Sequence, residues 1–280
     1  MRGIELEPLT HTSAFRRIAA VAWDTMADAS VYGHLTLDVG PLEAWIAQER
    51  EKTGQRISLT HCVVRAIAVV LRRYPDANVL IRRRRLYRRK DVDVFLQVAL
   101  HKGDKGSLGK ADLSGVVIRR ADTLTVAEIE TQLHEASQVI RTGNDPAFNK
   151  TKKMTDWMPP WLLRWTLKAL SVLQYDFNLD LSRFGIPRDP FGSVAVSSVG
   201  MLKVPFGYTP FFPLARLPLQ LTIPSILDEP MVKDGQVVAG RVVHLTTTFD
   251  HRVLDGVQAA RMCQDLTALL MNPETLDDAP

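Results

Sequence analysis

The chain has 280 residues, 46% of them apolar, enough to bury the core of one large domain or two small ones. Its two cysteines, Cys62 and Cys263, exclude a disulfide framework and fit a reducing compartment. Met1 to Glu7 carries mixed charge, and no uncharged stretch reaches the ~18 residues of a spanning helix, so neither a secretory signal nor a membrane span is expected and a cytoplasmic location is.

The net charge of +4 is local rather than global. Seven of the 35 basic residues sit in Arg82–Lys90, and the rest of the chain carries 28 basic against 31 acidic residues. One tyrosine, no nucleic-acid motif and an apolar stretch directly after it make this run a solvated hairpin, not a nucleic-acid arm. It is placed to attract an anionic ligand or an acidic partner.

In chain order, Phe15–Met26 reads as a helix, and Gly33–Val39 alternates polar and apolar residues at the period of a half-buried strand. Pro41 opens a helix to about Lys52. Ser58 caps a strongly apolar helix from Leu59 to Tyr74, ended by Pro75, with only His61, Arg65, Arg72 and Arg73 interrupting its apolar surface. After the basic run come a strand at Val92–Leu100, a glycine-rich turn at Gly103–Gly109, a short strand at Gly115–Ile118 and a helix at Thr125–Arg141. Asp104-Lys105 is read as plain loop rather than a lipoylation site.

Residues 144–190 interrupt this pattern. They contain W-M-P-P-W-L-L-R-W-T-L-K-A-L-S-V-L, a helix at about 157–173 with Arg164, Lys168 and Ser171 as a narrow polar stripe and apolar residues elsewhere. Such a helix must cover something: a core or intersubunit surface, an apolar pocket as a lid, or a membrane surface. The sequence leaves these open.

Ser193–Gly200 reads as a strand ending in a glycine turn, followed by an irregular Pro- and aromatic-rich passage at Pro205–Pro218 and a strand at Leu219–Leu227. Asp234-Gly235 makes a hairpin turn. Val242–Thr248 is a strand, Asp255 or Gly256 starts a helix, and between them stands the word Asp250-His251-Arg252-Val253-Leu254-Asp255-Gly256. A histidine held where a buried strand gives way to a helix has a fixed ring, and its neutral pKa range suits it to take a proton and return it. His11, His134 and His244 have no such setting and read as core or surface residues.

The D-H-R-V-L-D-G word resembles the active-site motif of the dihydrolipoamide acyltransferases, the acyltransferase subunits of 2-oxo acid dehydrogenase complexes, whose His-x-x-x-Asp-Gly signature is shared with chloramphenicol acetyltransferase. The S-V-A-V-S-S-V-G strand resembles that family's oxyanion-serine strand, and the Phe15–Met26 helix its opening segment. The resemblance runs from about Arg16 to Leu276. It implies one α/β domain over the whole chain, a chloramphenicol acetyltransferase-like sandwich with a large mixed sheet flanked by helices, with 144–190 as an insertion. It also implies a homotrimer with the active site between subunits. His251 becomes the general base, Ser197 the oxyanion donor and Asp255 a structural residue paired with Arg16 or Arg17, beside Gly256. Coenzyme A is implied as a substrate and no metal is. Neither a lipoyl nor a peripheral-subunit-binding domain is recognised, so a lipoyl group would come on a separate lipoyl-carrying protein. Where the family has a Leu-x-x-Pro-Val strand this chain has Ser114-Gly115-Val116-Val117, which keeps a stand-alone acyltransferase with another acceptor open. An inactive scaffold homologue is disfavoured by the intact His251, Ser197 and Asp255.

Overall fold

The computed structural model describes residues 5–8, 29–101, 111–141, 159–212 and 214–278. The expected Phe15–Met26 helix with Arg16 and Arg17, the Gly103–Gly109 turn and the first part of the 144–190 stretch lie outside the described residues.

The fold is built around one helix. Ser58 is extended at φ −144°, and its N–H donates to His61 Nδ1 at 3.0 Å, which starts α2 (Leu59–Arg73). α1 (Gly40–Thr53) precedes it, with Pro41 in its first turn as expected. From His61 to Leu71 every residue of α2 is buried, as a helix apolar on all sides must be. Its one deep cation, Arg65, donates from Nε to the Leu276 carbonyl at 2.9 Å and from Nη1 to the Asp122 carbonyl at 2.6 Å. The end of the described chain is thereby pinned to the core, and Leu276 is fully buried.

Against α2 lies a mixed sheet with the order β2 (Ser30–Asp38), β10 (Gln236–Asp250), β8 (Leu219–Ile223), β7 (Val194–Ser198), β5 (Val94–His101) and β6 (Ala111–Ile118). β9 (Leu227–Lys233) pairs with the first half of β10. β8, β7 and β5 run parallel, and the remaining pairs are antiparallel. Because successive strand residues face opposite sides, Leu96, Val196, Leu221 and Leu245 join the α2 core, together with α3 (Val126–Arg141) and α5 (Gly256–Met271). The other face carries a row in register: Gln97, Ser197, Thr222, Thr246 and His34. The loop at 205–212 lies over part of that row, its carbonyls accepting from Thr246 (2.6 Å to Gly207) and Thr248 (2.8 Å to Thr209).

The strand expected at Leu219–Leu227 is two strands. Pro224 has no N–H for a ladder, so β8 stops at Ile223 and β9 begins at Leu227. The basic run is a hairpin of β3 (Val79–Arg82) and β4 (Arg85–Arg89) in a separate small sheet with β1 (Leu6–Pro8). Its two-residue turn, Arg83-Arg84, has φ of 48° and 63°, values that glycine or asparagine more often supplies. Three of its seven cations are paired rather than simply solvated: Arg88 with Asp76 at 2.7 Å, Lys90 with Glu5 at 3.2 Å, and buried Arg89 with buried Asp189.

His61 gives the fold an acid limit. Burial, helped by the nearby Arg50 charge, pushes its imidazole down to about 4 from 6.5. The native ring is neutral, so the unfolded chain takes up its proton first as pH falls. Stability is therefore full above about pH 6.5 and declines toward pH 4, by about 3 kcal/mol for this group. Urea titrations between pH 7 and 4 should show this slope, and His61→Gln, which keeps an acceptor for Ser58 N–H, should flatten it.

Candidate active site

The strand–turn–helix junction is rigid for reasons visible in its hydrogen bonds. Asp250 is 1% exposed and Arg252 6%, and they pair with each other on either side of His251: Arg252 Nε reaches Asp250 Oδ1 at 3.0 Å and Nη2 reaches Oδ2 at 2.8 Å. The Asp250 carbonyl accepts from Val253 N and Leu254 N, which closes the turn, and Asp250 N donates to the Pro218 carbonyl. His251 N donates to the Ala29 carbonyl at 2.8 Å, tying the turn to the start of β2.

The ring follows from this backbone. His251 Nδ1 lies 2.7 Å from the Leu254 carbonyl, an oxygen that can only accept. Nδ1 therefore carries the proton and the basic lone pair sits on Nε2. The Phe249 ring meets the imidazole edge-on at 6.4 Å. The half-buried ring thus has a set tautomer and a set orientation.

Asp255 takes up a duty that needs no arginine. It is the N-cap of α5, extended at ψ 172°, with Oδ1 accepting from Gln258 N at 2.8 Å. Gly256 is the first residue of that helix. Arg16 and Arg17, the partners the resemblance assigned to Asp255, lie outside the described residues.

Ser197 is 5% exposed on β7, and its Oγ donates to Gln97 Oε1 at 3.0 Å on the adjacent parallel strand. Ser198 turns the other way, where Thr60 of α2 donates to its Oγ at 3.3 Å. Gln97 escaped the sequence reading. Its signal was an amide in the otherwise apolar run V-F-L-Q-V-A-L. Asp250 and Arg252 were quoted only as part of a motif, and their pairing with each other was equally missed.

The fold keeps His251 and Ser197 apart within one chain. Ser197 is in register with Thr222 on β8, and Thr222 with Thr246 on β10. His251 lies five residues further along, at the opposite end of the sheet, roughly 17 Å along the strand and about 10 Å across two strand spacings. Among the described residues, no group of three His, Cys, Asp or Glu side chains is placed to hold a metal ion.

The family described as 2-oxoacid dehydrogenases acyltransferase (catalytic domain) matches residues 10–146 and 192–277. A lipoamide acyltransferase component of the branched-chain alpha-keto acid dehydrogenase complex of Pseudomonas putida is 24% identical over 265 residues, covering 93% of this chain and 51% of that protein. The chain spans about half the length of the curated relatives it matches over most of its own length. A dihydrolipoamide acetyltransferase of Azotobacter vinelandii, studied for the catalytic role of a serine, a histidine and an asparagine, superposes with a TM-score of 0.64 at 19% identity, covering 94% of this chain and 88% of that one. Chloramphenicol acetyltransferase superposes with a TM-score of 0.52 at 12% identity, covering 95% of this chain and all of that one (100%). The fold is thus that of the acyltransferase cores and of chloramphenicol acetyltransferase, and the chain belongs to the 2-oxoacid dehydrogenase acyltransferase catalytic-domain family.

Proposed function

We propose that this chain moves an acyl group between coenzyme A and a thiol of the dihydrolipoyl type, in an active site assembled between subunits of a homotrimer. The observation that carries the reading is the arrangement of His251: one ring nitrogen committed to the Leu254 carbonyl, the other basic, on a turn locked by a buried ion pair. A thiol acceptor meets Nε2, which takes its proton as the sulfur attacks the thioester carbonyl. A new C–S bond forms and the carbonyl oxygen becomes an oxyanion. As the bond to the coenzyme A sulfur breaks, His251 returns the proton to that sulfur, and no other reactant is needed.

The oxyanion requires a donor, and Ser197 Oγ–H is the candidate. In this structure the hydroxyl donates to the Gln97 carbonyl oxygen. Turning the Gln97 amide over makes Gln97 a donor to Ser197 Oγ and leaves the hydroxyl proton for the oxyanion. Gln97 thereby becomes a positioning residue for Ser197.

The separation within one chain supports the trimeric reading. With roughly 20 Å of sheet between them, His251 and Ser197 serve one reacting carbon only if they come from different chains. The Azotobacter vinelandii work on a serine, a histidine and an asparagine supports the pairing of these two residues, with Asp255 at the third position.

Four outcomes on activity test this. His251→Ala should lower acyl exchange between labelled acetyl-coenzyme A and dihydrolipoamide by ~10²–10⁴ with the thermal midpoint close to wild type. Ser197→Ala should lower it by ~10²–10³, and co-refolding the two inactive proteins should restore about a quarter of the sites, the share from chance pairing of subunits. Mixed trimers no more active than the separate variants would refute the shared site. Gln97→Glu, which can only accept, should hold the Ser197 proton and lower kcat nearly as far as Ser197→Ala while KM stays close to wild type. On stability the junction residues should part company in urea denaturation. Asp255→Ala should lose about 1 kcal/mol with its cap, and Arg252→Met about 3–5 kcal/mol by stranding the buried Asp250 carboxylate.

A further inference from the structure

The stretch from 147 to 191 falls outside the family match, and its described part carries exposed apolar side chains beside the arginine hairpin. α4 (Pro160–Ser171) continues into a wider helical turn at Val172–Asp176, about 25 Å of helix in all. From Leu162 to Leu170 the exposed residues are Arg164, Trp165, Lys168 and Ala169, the leucines are half-buried, and among the described residues none of these leucines joins a core cluster. Trp165 is 62% exposed and Phe177 53%, with Leu173 and Leu179 also exposed. The anchor lies further on. Tyr175 is buried against Leu80 of the hairpin, and its hydroxyl lies 3.3 Å from Asp189.

The exposed charges beside this surface are mainly positive. Arg164 and Lys168 stand on α4, and Lys168 lies 5.5 Å from the Trp165 ring centre. The hairpin abuts the end of the helix: Arg82 donates to the Asp176 carbonyl at 2.8 Å, and the Arg83 guanidinium stacks over Phe177 at 4.7 Å. Arg83, Arg84 and Arg85 are exposed there. Among the described residues, the three carboxylates of the stretch are engaged within the chain: Asp176 by both terminal nitrogens of Arg216 at 2.8 and 2.6 Å, Asp180 by Ser182 N at 2.9 Å, and Asp189 by Arg89. Arg216 holds the Asp176 carboxyl below its usual range despite its partial burial.

We propose that α4 and the Arg83–Arg85 hairpin tip form a docking face for the surface of an anionic lipid bilayer. The bilayer interface offers both things this face lacks: phosphate charge for the cations, and an apolar layer a few ångströms deeper for Trp165, Leu173, Phe177 and Leu179. A second copy of the chain seated on the same patch would set arginine against arginine. An acidic protein surface answers the cations but not the exposed Trp and Leu side chains. The contact lies on the surface: no helix among the described residues is long and apolar enough to cross a membrane.

The test uses the full chain and vesicles of phosphatidylcholine alone or mixed with phosphatidylglycerol. Co-sedimentation is expected with the mixed vesicles only, and it should weaken with added salt. Arg164→Gln and Lys168→Gln should each weaken it about fivefold. Trp165→Ser should weaken it without changing the salt dependence, all three variants keeping the wild-type thermal midpoint. No binding to the mixed vesicles, equal binding to both kinds, or variants that bind like wild type would overturn the proposal. So would sedimentation velocity showing that Trp165→Ser lowers the oligomeric state, because the face would then be a contact between subunits.

Discussion

The constraint on which this structure rests is the two-residue period of its strands. α2 is apolar on every side and must be enclosed, so each central strand gives it alternate residues: Leu96, Val196, Leu221, Leu245. The intervening residues are then committed to the opposite face, and Gln97, Ser197, Thr222 and Thr246 stand there in register. A shift of one residue in β7 would send Ser197 into the α2 core and Val196 out to the polar row. The position of the candidate oxyanion donor is therefore set by the packing of a helix it never touches.

Much of this was legible. The apolar α2 with its Ser58 start and Pro75 stop, the Pro41 and Asp255 helix starts and the Asp234-Gly235 turn all rest on local chemistry. So did the assignment of Ser197 and Ser198 to opposite faces, which follows from strand geometry alone. The D-H-R-V-L-D-G word marked the histidine, and the hydrogen bond to Leu254, three residues on, shows why spacing within that word matters.

What escaped was set by contacts distant in sequence, or by a single atom. Gln97 meets Ser197 across 100 residues. The Asp250–Arg252 pair is close in sequence, but neighbouring opposite charges usually mean a solvated surface, and here both are buried and pair with each other. Pro224 lay inside an apolar run that otherwise reads as one strand, and its missing N–H outweighed the pattern. The Arg82–Lys90 run was read as solvated because a hairpin of like charges has no partner of its own; Asp76, Asp176 and Asp189 come from outside it.

The two sites make demands on different parts of the molecule. His251 and Ser197 occupy opposite ends of the large sheet, so the proposed site between chains would use the surfaces at those ends. α4 and the arginine hairpin lie outside the large sheet: the hairpin forms its own small sheet with β1, and α4 meets it through Phe177 and Asp176. Cations gathered at the seam would repel one another on assembly and would need buried partners there. Held on a separate small sheet, these cations meet Asp76, Asp189 and the Asp176 carbonyl, so the proposed seam between subunits need not supply partners for them.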